Sequence, residues 1–233
     1  ALMGAHIIIA SRGDQKCRDA AREISEKTGN PDIVPMPVDL SDLRDVERFA
    51  ALVTKKFPLG IDVLINNAAV MAVPYGQEPE FVTKQGFEAH FGVNYLAHFH
   101  LTNLLLPLLE KAHGRVVSYG SVSHWCFFDY PIPESFRPSE LLKKWSWLSK
   151  YAQSKMCLML FTKELARRLG EHSNITALCV DPGAVSTNIT RHFPSVWHWL
   201  YNNTHIFRPA IEGCQCAVSV SYTHLRAHET IAL

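Results

Sequence analysis

Short apolar runs rich in β-branched residues alternate with longer polar-faced stretches along most of this chain. Ile7 to Ala10 is wholly apolar and ends in Ser11-Arg12-Gly13, which predicts a buried strand and a turn. Cys17 to Lys27 predicts a helix closed by Gly29-Asn30-Pro31. Ile33 to Val38 predicts a second strand, moved toward a sheet edge by Pro35 and Pro37. Ser41 then offers an N-cap, with Asp42 and Asp45 in the first turn, where carboxylates suit the helix dipole. Leu43, Val46, Ala50, Val53 and Phe57 follow at spacings of three and four, so one apolar stripe runs down that helix.

The alternation continues. Asp62 to Ile65 predicts a short buried strand, and Lys84 to Lys111 a long helix or a pair of helices. Arg115 to Tyr119 predicts a strand. Val122 to Ser149, with Pro131, Pro133 and Pro138, predicts irregular structure. Tyr151 to Leu169 predicts a helix with Leu158, Thr162, Leu165 and Leu169 on one face, and Ile175 to Val180 a further strand. Crossovers of this length join parallel strands, so the fold class is α/β, a Rossmann-like doubly wound parallel sheet in a single domain. Ligands of such sheets bind beyond the carboxyl ends of the strands. Polar clusters fall there: Ser11-Arg12, Asp39, Asn66-Asn67 and Ser121.

Charge excludes one class of partner. Lys plus Arg number 23 and Asp plus Glu 22 in 233 residues, a balance that leaves no electrostatic footprint for nucleic acid. No apolar run is long enough to span a bilayer, and the opening residues do not read as a secretory leader. Six cysteines without a C-x-x-C pair predict reduced, mostly buried thiols rather than a disulfide frame or a zinc site. His98 and His100 fall on different helix faces, so no metal pair is expected. Three Asn-x-Thr triplets, at Asn174, Asn188 and Asn202, read as chance matches to a glycosylation pattern.

The chemistry centres on Tyr151-Ala-Gln-Ser-Lys155. Residues four apart share a helix face, so the Lys155 ammonium lies near the Tyr151 phenol. A neighbouring cation favours the phenolate, which suits a tyrosine to exchange a proton with an alcohol or carbonyl oxygen near neutral pH. Ser121 closes the preceding strand with a hydroxyl. Asn94 sits in a helix interior among apolar residues, where an amide side chain is mildly unfavourable.

Taken together, Asn66-Asn67-Ala68-Ala69, Asn94, Ser121, Tyr151-x-x-x-Lys155 and Asp181-Pro182-Gly183 resemble the short-chain dehydrogenase/reductase superfamily in order and spacing. The stretch from His90 to Phe99, and Tyr151 to Lys155 running into Leu160-Phe-Thr, resemble its retinol dehydrogenase-like subgroup, especially the X-linked dehydrogenase/reductase branch. The resemblance covers about Ala5 to Val218. It implies that Tyr151 is the general acid in reduction and the base in oxidation. Lys155 would assist it and hold the nicotinamide ribose, Ser121 would bind the substrate oxygen, and Asn94 would support a water relay toward Lys155. It further implies that Asn66 and Ala68 line the cofactor cleft, that Asp39 with Leu40 reaches the adenine, and that Pro182, Gly183, Val185 and Thr187 cover the nicotinamide.

Arg12 bears on the choice of cofactor. An acid at the end of this strand would bind a ribose diol and repel a 2′-phosphate. Ser11-Arg12 stands there instead, and a guanidinium pairs with phosphate, so NADP(H) is favoured over NAD(H). Trp125, Phe127, Phe128, Trp145, Trp147 and the group Trp197, Trp199, Leu200 and Tyr201 suit a large apolar alcohol or carbonyl, of retinoid, sterol or isoprenoid type.

Three departures shape the expectations. The family's Gly-rich turn is absent, which predicts a domain over 1–220 lacking an N-terminal β-α unit of roughly 30 residues, unstable and inactive without it. Ala69 stands where the family usually has Gly. Residues 221–233 depart from the family pattern and resemble translated sequencing-adapter read-through. Membrane attachment would depend on the absent N-terminal region, and the resemblance implies a homodimer paired through the long helices. Two rival readings are a non-catalytic nucleotide-binding scaffold of the same fold and a serine hydrolase using Ser121. The latter lacks the G-x-S-x-G elbow.

Overall fold

A computed structural model describes residues 1–71, 82–127, 137, 146–170, 173–187, 189 and 207–222. The strands and helices in chain order are β1 (Ile7–Ile9), α1 (Asp14–Thr28), β2 (Ile33–Pro35), α2 (Leu43–Lys56), β3 (Val63–Asn66), α3 (Ala89–Phe91), α4 (Ala97–Lys111), β4 (Arg115–Tyr119), α5 (Trp147–Leu169), β5 (Thr176–Val180), α6 (Ala210–Gly213) and α7 (Gln215–Tyr222). A π-helical turn (Gly92–Leu96) joins α3 to α4, and a 3-10 turn (Val122–Phe127) follows β4.

The expected parallel sheet is present in two pieces. β1 pairs with β2, and β3, β4 and β5 form a three-stranded parallel sheet in that order. The larger piece is covered on both faces, as double winding requires. Pleating sends Val116 toward Leu109 of α4 and Leu165 of α5, while Val117 turns the other way, onto Ala217 and Val220 of α7. Both pieces share one core. Ile8 and Val34 from the first and Leu64 from the second pack against Val46, Phe49 and Val53 of α2 and Leu101, Leu105 and Leu108 of α4.

No described strand lies between β1 and β3, and these two edges are under-covered. All three residues of β1 are only half-buried, and Ile65 of β3 is 46% exposed. Central strands of a parallel sheet are normally buried on both faces. The described strands thus form two separate parallel sheets rather than one.

Local chemistry explains the boundaries that differ from expectation. The cap of α2 is Asp42, not Ser41: the Asp42 carboxylate accepts the Arg44 N–H at 3.1 Å, while the Ser41 hydroxyl donates to Asp39 at 2.7 Å. The first helix begins at Asp14 rather than Cys17. The long helix begins at Ala89, capped by Glu88, and α5 begins at Trp147, where Ser146 accepts the Ser149 N–H at 3.2 Å. Among the described residues β2 is an edge strand, as its prolines indicate. Met36 N–H and Val38 N–H donate to Ile9 and Ser11 carbonyls across the ladder, so the intervening prolines set their missing donors on the outer side.

The cysteines depart from expectation more clearly. Five are described, all free, and only Cys17 is fully buried, whereas Cys179 and Cys214 are exposed. Cys179 lies on β5, an edge strand among the described residues. Of the tail, residues 223–233 lie outside the described residues, as do Phe128, Trp145, Trp197, Trp199, Leu200 and Tyr201.

Candidate active site

The carboxyl ends of β3, β4 and β5 converge with α5 on the predicted catalytic set. Tyr151 and Lys155 fall one turn apart on the buried face of α5, and both are almost fully buried. The Lys155 ammonium lies 5.9 Å from the centre of the Tyr151 ring. It donates to the Tyr119 carbonyl at 2.7 Å, at the last residue of β4. Burial pushes the Lys155 amine down to about 8, offset only in part by Cys179 and Asp181. Two residues past Tyr119, Ser121 opens the 3-10 turn, which packs against α5. Its hydroxyl accepts the Ser123 N–H at 3.3 Å, and its carbonyl accepts the His124 Nδ1–H.

Asn94 is fully buried in the π-helical turn. Such turns widen the helix and recur at functional positions. Gly92, which opens this one, lets the Thr83 side chain pack directly against it, since an added Cβ would clash with Thr83 Cγ2. The Asn94 amide is fully used. Its Oδ1 accepts the Val70 N–H at 2.7 Å, and its Nδ2 donates to the Val70 carbonyl at 2.9 Å and to Ser154 Oγ at 3.0 Å. With both N–H groups engaged and the amide oxygen held by Val70, the side chain acts as a clamp. It ties the segment after β3 to the helix that carries Tyr151 and Lys155.

Three residues that the sequence reading did not assign also belong here. Ser154, between Tyr151 and Lys155, accepts the Asn94 bond, and its hydroxyl donates to the Tyr151 carbonyl at 2.7 Å. His90 packs edge-on against the Tyr151 ring, with centroids 6.4 Å apart, and its Nδ1 meets Glu88 Oε1 at 2.6 Å. Burial raises the Glu88 carboxyl, but the bonds from His90 and from the Phe91 N–H outweigh it and leave it below its usual range. His98 bonds the Ala68 carbonyl at 2.8 Å. A tally of polar residues at helical spacing inside the apolar stretch from His90 to Thr102 would have flagged these histidines.

The other residues expected to meet the cofactor follow β1, β2, β3 and β5 in the chain. Ser11 and the exposed Arg12 follow β1, and Leu40 is half-buried beside Asp39. Asp39 Oδ1 accepts the Ser41 N–H at 3.0 Å, closing a turn. Asn66 is buried, while Asn67 and Ala68 are exposed at the end of β3. Ala69 needs no glycine: among the described non-glycine residues only His113 has a positive φ. Past β5, Gly183 turns with φ 70°, and its N–H donates to Asp181 Oδ1 at 2.8 Å. That conformation favours glycine. Pro182 is half-buried, Val185 is buried and pairs with Arg208, and Thr187 is exposed. Among the described residues, no group of three or more His, Cys, Asp or Glu side chains is placed to hold a metal. Nor is any helix there long and apolar enough to cross a membrane.

Known proteins are similar to this chain. The short chain dehydrogenase family profile matches residues 1–126. Mouse retinol dehydrogenase 13 is 39% identical over 193 residues, covering 81% of this chain and 54% of its own. Human polyprenol dehydrogenase is 39% identical over 199 residues, covering 82% and 57%. Mouse retinol dehydrogenase 11 is 37% identical over 227 residues, covering 94% and 66%. Among solved structures, an alcohol dehydrogenase from the archaeon Thermococcus sibiricus, complexed with 5-hydroxy-NADP, superposes with a TM-score of 0.64 at 17% identity, covering 94% of this chain and 79% of its own. The chain belongs to the short-chain dehydrogenase family. Within it, the relatives place the chain in the retinol dehydrogenase-like subgroup, and it spans little more than half the length of the first two.

Proposed function

We propose that the protein is an oxidoreductase that interconverts a large apolar alcohol and its carbonyl compound, with NADP(H) preferred to NAD(H). The observation that carries this reading is the buried pair Tyr151 and Lys155, with the Lys155 ammonium 5.9 Å from the phenol ring and anchored at the end of β4. A buried ammonium that makes one hydrogen bond among the described residues fits a ribose hydroxyl close by. The bound nicotinamide supplies or accepts the hydride. In reduction, the Tyr151 hydroxyl gives its proton to the carbonyl oxygen, and the Lys155 cation stabilises the phenolate left behind. Ser121 donates to the same oxygen as negative charge develops on it. In oxidation each step reverses, so the proton returns to Tyr151.

Asn66, Asn67 and Ala68 would flank the nicotinamide half, Asp39 and Leu40 the adenine, and Pro182 to Thr187 would cover the nicotinamide. Arg12, exposed beyond β1 with no acid at the strand end, would pair with the 2′-phosphate. The names of the relatives, retinol and polyprenol dehydrogenases, support an apolar substrate. Large apolar side chains exposed on both long helices, Phe99 on α4 and Leu160 on α5, support pairing of two copies through these helices.

The edges of β1 and β3 that are unpaired among the described residues lead to a second part of the proposal. The working enzyme carries a further parallel strand between β1 and β3, and residues 1–233 alone are inactive. Both parts are tested by following NADPH oxidation with retinoid and polyprenoid aldehydes. Full-length protein is expected to turn over at least one of them, and residues 1–233 none. Turnover of short polar aldehydes only would overturn the substrate class, and turnover by residues 1–233 would overturn the second part.

A further inference from the structure

Helix α4 and the π-helical turn before it meet the segment leaving β3 through three polar contacts spaced one helical turn apart. Asn94 bonds both main-chain groups of Val70, His98 bonds the Ala68 carbonyl, and Thr102 Oγ1 accepts from Asn66 Nδ2 at 3.0 Å. Positions 94, 98 and 102 advance by four while 70, 68 and 66 retreat by two. The match is geometric. Four helical residues rise about 6 Å and two extended residues span about 6.6 Å, so each turn meets every second residue of the antiparallel segment.

The outer two contacts are anchored further. Asn94 is joined to α5 through Ser154, and the Thr102 partner is the buried last residue of β3. The middle one, His98, has a main-chain carbonyl as its partner, in the exposed stretch that the proposed function places against the nicotinamide half.

We infer that His98 is a positioning residue for the dinucleotide, holding the peptide between Ala68 and Ala69 in one orientation through its bond to the Ala68 carbonyl. A carbonyl only accepts, so His98 Nε2 carries the proton and donates it. The ring is buried, and its Nδ1 has no partner among the described residues. Burial, with the nearby Lys155 cation, pushes His98 down to about 4 against the opposing effect of the Ala68 bond, so it donates as a neutral ring throughout the working pH range. In a planar trans peptide the C=O and the following N–H point opposite ways. With the Ala68 carbonyl drawn onto α4, the Ala69 N–H faces away from α4, on the open side of the segment. Loss of the tether frees this peptide to rotate without removing either outer contact.

This inference rests on the dinucleotide-dependent reading, and the test separates the two. Full-length wild type, His98→Leu and His98→Gln would be titrated with NADPH and with 2′,5′-ADP, which carries the adenine half alone, and their melting temperatures compared. His98→Leu is expected to weaken NADPH by roughly tenfold, the scale of one lost hydrogen bond, and to leave 2′,5′-ADP unchanged. His98→Gln, whose amide can donate in the same direction, is expected to recover most of the NADPH affinity. Equal NADPH binding by wild type and His98→Leu would overturn the inference, as would parallel weakening of both nucleotides with a lowered melting temperature. A wild type that binds no nucleotide would instead sink the dehydrogenase reading on which the inference stands.

Discussion

Replacing Tyr151 by Phe is expected to lower kcat by roughly 10²–10⁴-fold, the usual contribution of a positioned proton donor. The substitution removes one oxygen and keeps the ring that packs edge-on against His90, so the buried environment of α5 survives. NADPH binding should therefore change little, because Lys155 and its bond to the Tyr119 carbonyl are untouched. Steady-state rates with a retinoid aldehyde, alongside a binding titration, check both halves of this expectation. Full activity in the variant would remove Tyr151 from the chemistry. A scaffold that only senses nucleotide would bind normally before and after the change and show no turnover in either form. A hydrolase acting through Ser121 would lose nothing.

Replacing Asn94 by Ala is expected to act on the fold as well as on the rate. The change strips the buried Val70 N–H and C=O of their partners at once and cuts the link to Ser154. Each buried group left unsatisfied costs about 1–3 kcal/mol, so stability should fall by roughly 2–5 kcal/mol. In a protein of this size that corresponds to a melting temperature lowered by about 5–15 °C. Thermal melts of full-length wild type and variant read this directly. A shift under about 2 °C would show that the clamp is dispensable. The account also expects activity to fall by more than the unfolded fraction explains, because the clamp joins the cofactor-side segment to the helix bearing Tyr151 and Lys155.

Much of this architecture is legible in the sequence because burial imposes a period. The stripe on α2 reads directly from Val46, Ala50 and Val53, and the edge position of β2 from Pro35 and Pro37, whose rings remove alternate donors. The Tyr151 and Lys155 pair is legible for the same reason, since a helix brings residues four apart together. What stayed hidden depends on contacts across the chain. Nothing local in Asn94 announces that its partners are Val70 and Ser154, at separations of 24 and 60 residues. Asp42 displaces Ser41 as the cap of α2 because the Ser41 hydroxyl is drawn away to Asp39, a competition that propensity alone does not resolve. His98 reads as one of a scattered set of histidines until its bond to Ala68 gives it a place. The apolar neighbours of Cys179 do not reveal its exposure, on a strand that is at the sheet edge among the described residues.

The proposed function requires that this site take a nicotinamide dinucleotide and favour the phosphorylated form. Titrating full-length protein with NADPH and with NADH, and following the nicotinamide fluorescence, tests it most directly. The account predicts saturable binding of both, with NADPH tighter by roughly tenfold or more through a charge-assisted bond to Arg12, and an inverted order in Arg12→Glu. Binding of neither nucleotide, or tighter binding of NADH by the unaltered protein, would contradict it.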